Sequence, residues 1–154
     1  MASRSDASCV FCRIVHRALT PDVLAFIDEH TAVFPSLRQQ PRNRGHMLVV
    51  PVRHVAQLYD VDVALAGPLM TTLARVAAAV KSVFGAQGVS VRQNNEPHGG
   101  QDVFHIHFHV IPRFAGDDFD NGDARFPFGT IEVPLAERVR QAADVSAAFR
   151  ESRS

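Results

Sequence analysis

The sequence predicts an α+β domain built on an antiparallel sheet, and three observations predict it. Short runs of β-type residues come in pairs separated by turn formers, one long stretch carries helical periodicity, and no regular strand–helix–strand alternation occurs. At 154 residues the chain has the size of one domain and can bury a core without disulfide staples.

In order along the chain, Val10, Phe11, Ile14 and Val15 fall at helical spacing behind Ser8, a plausible N-cap, so a short helix is expected to end before Thr20 and Pro21. The runs 23–27 and 32–34 flank Asp28, Glu29 and His30 and read as a hairpin, followed by a loop from Pro35 to Arg44. Gly45 to Pro51 is an apolar run bounded by Gly and Pro, hence a buried strand. Leu65, Leu69, Leu73, Val76, Val80 and Phe84 recur every three or four residues and predict the longest helix between Asp62 and Phe84. Pro68 leaves two readings, a start near Gly67 or a start near Asp62 with a bend. A strand over 89–92, a turn-rich loop over 94–100, a strong strand over 104–111, an irregular segment over 113–129 and a helix over 134–149 complete the order.

Sixteen basic residues balance sixteen acidic ones and form no tract, so nothing in the charge calls for nucleic acid. The N-terminal MASRSDAS has no apolar signal core, and no stretch reads as a membrane span. The expectation is a soluble, cytoplasmic protein without a membrane or nucleic-acid partner.

His105, His107 and His109 alternate with Ile106, Phe108 and Val110, so a strand there would present three imidazoles on one face and apolar residues, with Phe104, on the other. One imidazole alone is usually a polar residue on the solvent side of an amphipathic strand. Three in alternation point to chemistry, because imidazole serves as acceptor, donor, metal ligand and nucleophile near neutral pH. The first and third lie roughly 13 Å apart along a strand, too far to share one ion, which favours a division of labour. Cys9 and Cys12 are the only cysteines, and their spacing suits a metal half-site or a redox pair.

The His105, His107, His109 pattern resembles the histidine triad family, and the likeness extends to Gly99-Gly100-Gln101, Asn94, Gly45-His46 with Pro51 and His54, and Cys9-x-x-Cys12, in the same order. It covers residues 9–113, which suggests a disordered 1–8, a domain over 9–113 and a C-terminal extension over 114–154 with a helix packed on the domain. The resemblance implies a five-stranded antiparallel sheet, a homodimer, and hydrolysis or transfer at the α-phosphate of a nucleotide, a purine nucleoside phosphate being favoured. His107 would be the nucleophile that forms a nucleotidyl-histidine, with His109, His46 and Gln101 as catalytic partners. Asn94 would also reach phosphate oxygens, and Val10, Phe11, Ile14, Phe34, Leu37 and Ser36 would hold the nucleoside. Cys9, Cys12, His54 and His105 would bind one structural Zn²⁺ per chain, the alternative being two reduced cysteines without metal.

Two positions depart from the family pattern. Ser36 stands where an Asp commonly holds the ribose, and Asp102 stands where a serine is frequent. An inward Asp102 would repel phosphate, so it is expected to face solvent or accept a backbone hydrogen bond. Arg38, Arg42, Arg44, Arg92 and Arg113 are either ordinary surface charge or contacts for a longer polyphosphate. Releasing a nucleoside monophosphate from phosphoramidates, adenylates or dinucleoside polyphosphates is the leading reading. A nucleotide-binding scaffold and a metalloenzyme with an open zinc site are the alternatives.

Overall fold

The computed structural model describes residues 6–119 and 129–152. Of the segment expected to be disordered, residues 1–5 lie outside the described ones. Asp6 to Ser8 form a turn in which the Ser8 backbone and hydroxyl both donate to the Asp6 carboxylate. That engagement removes Ser8 as a cap: helix α1 runs Val10–Val15, with Cys9 at the N-cap position and no side-chain cap. The expected hairpin forms with a shorter first arm, because Pro21–Val23 curls into a 3₁₀ turn, leaving β1 at Phe26–Ile27 against β2 at Thr31–Pro35. Asp28 closes the turn by accepting from the backbone of His30 and Thr31.

The expected loop 35–44 contains a two-residue strand, β3 (Arg38–Gln39), and the buried run follows as β4 (Met47–Pro51). Between them Gly45 has φ +105°, and a Cβ there would lie 2.5 Å from the Phe84 ring, so no larger residue fits before His46. Helix α2 covers Val63–Val83, capped by the Asp62 carboxylate accepting from Leu65 N. Pro68 lies inside it, which decides between the two readings: the helix starts at the Asp62 cap and continues through the proline. β5 (Gly88–Gln93), β6 (Phe108–Arg113), β7 (Ile131–Glu132) and helix α3 (Leu135–Glu151) complete the order.

The main sheet is five-stranded and antiparallel in the order β1-β2-β4-β6-β5. One face carries Val33, Met47, Val49 and Val110 against Leu65, Leu69, Leu73, Val76 and Val80 of α2 and Val145 and Phe149 of α3. By length and hydropathy α2 would pass as a membrane span, but this packing makes it a core helix. Each such buried aliphatic contributes roughly 1.5–3 kcal/mol. The opposite face, with Ala32, Phe34, Leu48 and Val50, is covered by Phe11, Ile14 and Val15 of α1.

The triad strand is shorter than expected. β6 begins at Phe108, so His105 and His107 precede it, and Phe104, expected to face the core, is 49% exposed. The cause lies across the sheet. Met47, Leu48 and Val49 pair with Val110, His109 and Phe108, and carrying that register on would set Pro51 opposite Ile106, where a proline has no N–H to donate. Ile106 N instead donates to Val55 O at 2.7 Å, beyond the end of β4.

The five arginines considered for polyphosphate have structural partners. Arg38 donates to Thr130 Oγ1 and O, Arg42 pairs with Asp118, and Arg44 forms a two-pronged pair with Glu137 of α3. Arg113 pairs with Asp117, holding that carboxyl far below its ordinary range, and the Arg92 guanidinium lies 4.7 Å from the Phe119 ring centre. With the β3–β7 pairing and the buried Gln39–Gln141 contact, these interactions bind residues 114–119 and 129–151 to the rest of the molecule. The irregular segment expected over 113–129 otherwise falls at 120–128, outside the described residues.

Candidate active site and metal centre

The antiparallel registers align Phe34, Leu48, His109 and Arg92 in one row across β2, β4, β6 and β5, on the face covered by α1. A cavity of about 330 Å³ opens above that row, in the size range of small-molecule sites. Val10, Phe11, Ile14, Phe34, Ser36 and Leu37, all expected to hold a nucleoside, line it together with His107 and His109. Arg38, considered above for a longer polyphosphate, lines it as well, as do Leu48, Asp102, Val103 and Arg138, which were not anticipated there. Leu48 was findable, since it lies two residues from His46 on the same strand face; Arg138 was not, since it arrives on α3 from the extension.

The histidines are held in distinct ways. His107 Nδ1 lies 2.8 Å from the carbonyl of His105 and donates to it, so Nε2 is the ring nitrogen turned toward the cavity. The edge of Phe11 abuts the same ring, with centroids 5.0 Å apart. His109 Nδ1 lies 2.9 Å from Nε2 of the fully buried His46. Burial pushes His46 well below its ordinary value, and burial with the neighbouring His107 ring lowers His109 to about 4. Both rings are therefore neutral near pH 7, so an anion in the cavity would meet neutral donors there.

Gln101 and Asn94 are not placed as expected. The Gln101 amide nitrogen donates to the carbonyls of Ala56 and Val103, and its oxygen accepts from Glu96 N, so it braces the loop ahead of the triad. Asn94 packs beside Gly100, whose φ of +88° lets the chain turn back toward Gln101, and it is not among the residues lining the cavity. Ser36 lines the cavity, but its hydroxyl donates to Arg38 O. Asp102 is exposed, as expected, yet its carboxylate also reaches 3.6 Å from His107 Nε2, and the ring beside it lowers its pKa.

On the far side of Phe11, Cys9, Cys12, His54 and His105 bring one ligand atom each to within 4.8 Å of one another. Cys12 Sγ lies 3.3 Å from His54 Nδ1 and 3.6 Å from His105 Nδ1, and Cys9 Sγ lies 3.5 Å from His105 Nδ1. Bond lengths of zinc to sulfur and nitrogen in a tetrahedron require a sulfur–nitrogen separation of about 3.5 Å, so the residues fit a Zn²⁺ ion. The His105 ring is set for this by its other nitrogen, Nε2, which donates to Pro51 O at 2.8 Å. Without an ion, burial pushes the Cys12 thiol up to about 11 and His105 down to about 4.

A family model described as HIT domain matches residues 19–116. The protein called Protein hit of Bacillus subtilis is 34% identical over 113 residues, covering 73% of this chain and 76% of its own. An adenosine 5'-monophosphoramidase of Saccharomyces cerevisiae is 32% identical over 108 residues, 70% of this chain and 64% of its own. Among solved structures, a zinc-bound histidine triad family protein from Mycobacterium smegmatis superposes with a TM-score of 0.73 at 29% identity, over 94% of this chain and 97% of its own.

Proposed function

Because this chain belongs to the HIT (histidine triad) family, we propose that it is a nucleotide hydrolase or nucleotidyl transferase that releases a nucleoside monophosphate through a nucleotidyl-histidine. One observation carries the reading: the His107 ring is fixed by its Nδ1–H to a carbonyl while Nε2 looks into a nucleoside-sized cavity. A neutral imidazole so tied is a competent nucleophile, and covalent catalysis divides one hard displacement into two easier ones.

The base and ribose lie among Val10, Phe11, Ile14, Phe34 and Leu37, which sets the α-phosphate at the histidine end. There His46 Nε2–H donates to His109 Nδ1, so that His109 carries its own proton on Nε2 and offers it to a phosphate oxygen. His107 Nε2 attacks phosphorus and the P–X bond breaks. Water then attacks the nucleotidyl-histidine, yielding the monophosphate and free His107. Gln101 serves by bracing the loop, and Asn94 shapes the turn next to it. The relative from Saccharomyces cerevisiae, an adenosine 5'-monophosphoramidase by name, favours AMP-linked substrates for this chain too.

Cys9, Cys12, His54 and His105 would hold one zinc per chain, which when bound would supply a fixed anchor for His105 and hence for the carbonyl that orients His107. With four protein ligands available, the site would serve structure rather than bind substrate. Reduced thiols in this site suit the expected cytoplasmic setting. We place the homodimer on edge strand β5 and α2, where Val91, Val63 and Met70 are exposed.

The test is a rapid-quench experiment with an adenosine 5'-phosphoramidate, followed by peptide mass spectrometry. An adenylyl adduct on the peptide bearing His107, together with released AMP, is expected. Turnover with the adduct on another residue sinks the assignment of the nucleophile, and absence of turnover across phosphoramidates, adenylates and dinucleoside polyphosphates sinks the function.

A further inference from the structure

Two cations line the part of the cavity that the histidines do not reach. β2 leaves the row of His109 at Phe34 and runs on through Ser36 and Leu37 to Arg38. Arg138 is brought to the same place by two bonds, Val133 N to Leu37 O at 2.9 Å and Arg138 Nε to Val133 O at 3.2 Å. Both guanidinium groups keep donors to spare. Arg38 gives Nε and Nη2 to Thr130, and Arg138 makes no other hydrogen bond to the described residues. Burial weighs against charge on Arg138, and Glu132, opposite Arg38 in the β3–β7 ladder, acts the other way. Glu132 does not line the cavity. Among the described lining residues the one carboxylate is Asp102, and it lies at the other end beside His107. Two guanidinium groups along an apolar wall are stabilised by an anion that meets their remaining donors.

We infer that Arg138, assisted by Arg38, holds a second phosphate carried on the ribose, so that the substrate class is a nucleoside 5′-phosphoryl compound phosphorylated at its 2′ or 3′ oxygen. The inference rests on the nucleotidyl-histidine reading above and adds to it the far end of the same substrate. With the α-phosphate at His107 and the base against α1, the ribose falls beside Phe34 and Ser36. A substituent on its 2′ or 3′ oxygen then runs along the wall made by Leu37, Arg38 and Arg138. Ser36 favours such a substituent. A carboxylate at that position would accept from a ribose diol and repel a phosphate ester, whereas the Ser36 hydroxyl, donating to Arg38 O, brings no charge. Both terminal nitrogens of Arg138 can meet two phosphate oxygens at once, the forked geometry in which arginine binds phosphate most strongly. A polyphosphate leaving group is joined at the α-phosphorus, at the histidine end, and does not run past Ser36. The bonds made and broken at phosphorus stay as given above, and the second phosphate remains on the released nucleotide.

The test starts from binding to the full zinc-loaded chain, with titration calorimetry comparing AMP, adenosine 3′,5′-bisphosphate and adenosine 2′,5′-bisphosphate. At least one bisphosphate should bind about tenfold more tightly than AMP, by a margin that shrinks as salt is raised, and the tighter isomer identifies the ribose oxygen. Arg138→Gln should cut that margin to about twofold or less, and Arg138→Lys, which keeps the charge without the fork, should restore part of it. The same margin should appear in kcat/KM, through KM, when adenosine 5′-phosphoramidate is compared with its 2′- and 3′-phosphorylated forms. If neither bisphosphate binds more tightly than AMP to the wild-type chain, the inference is overturned with no variant needed, and turnover of the plain phosphoramidate then leaves the nucleotidyl-histidine reading standing. A margin that survives Arg138→Gln overturns the assignment, as does an equal loss for AMP and both bisphosphates in that variant. A bisphosphate margin without turnover of any phosphoramidate upholds the anion subsite and overturns the reaction.

Discussion

His105 and His107 are two residues apart, carry the same side chain and are both buried, yet one faces a metal centre and the other a cavity. What separates them is which ring nitrogen a backbone carbonyl takes. His105 gives Nε2–H to Pro51 O and turns Nδ1 to the cysteines; His107 gives Nδ1–H to His105 O and turns Nε2 to the cavity. The two ends are thus joined by the carbonyl of His105 and by the Phe11 ring, which abuts both imidazoles. A change at the metal end should therefore reach the catalytic end through the orientation of His107 and the packing against it.

The strongest way to break this comparison is at the nucleophile. His107→Ala should lower kcat by about 10³-fold or more while zinc content and thermal midpoint stay near wild type, because the ring is outside the metal cluster. Loss of zinc in that variant would show that the two ends are not separable. Cys12→Ser should act the other way. Zinc falls from one per chain toward none, the midpoint drops by roughly 10 °C, and kcat/KM falls by no more than about a hundredfold, as checked by metal analysis, calorimetry and AMP release. Complete inactivity of a folded, zinc-free variant would revive an open catalytic metal.

The smallest effect is in pH. His109 is lowered by burial to about 4 in the folded chain and returns to its ordinary 6.5 on unfolding, and His46 shifts in the same direction. Between those values the unfolded chain binds more protons, so this contribution to stability is full above pH 6.5 and is lost as pH falls toward 4. His109→Gln should show a shallower fall of midpoint across that window, by about one proton's worth; an identical slope would mean that His109 is charged in the folded chain.

What was legible in the sequence was whatever short-range pattern encodes. The α2 helix followed from its repeat of leucines and valines, whereas the Cys₂His₂ cluster and the residues that line the cavity followed from the resemblance to the histidine triad family. Pairings across long separations were hidden. β3 and β7 are two residues each and carry no period of their own, and Arg138 reaches the cavity only because α3 docks through Arg44 and Gln39. The triad strand was drawn too long because Pro51, which ends its ladder, belongs to another strand. Gln101 departs from its expected place for a reason of satisfaction, while Asp102 keeps its expected exposure. The buried Gln101 amide had to find backbone partners, which occupied both its ends, whereas the exposed Asp102 was left to turn toward His107.

The docking of α3 has a consequence for how the molecule is made. Synthesis proceeds from the N-terminus, so α1, the metal ligands and all three triad histidines leave the ribosome before residue 135, the first of α3. A nascent chain can therefore assemble its nucleophile and its metal centre while one wall of the cavity, the wall bearing Arg138, does not yet exist. Substrate capture is then the last property the polypeptide acquires, timed by the arrival of a helix that carries none of the catalytic histidines.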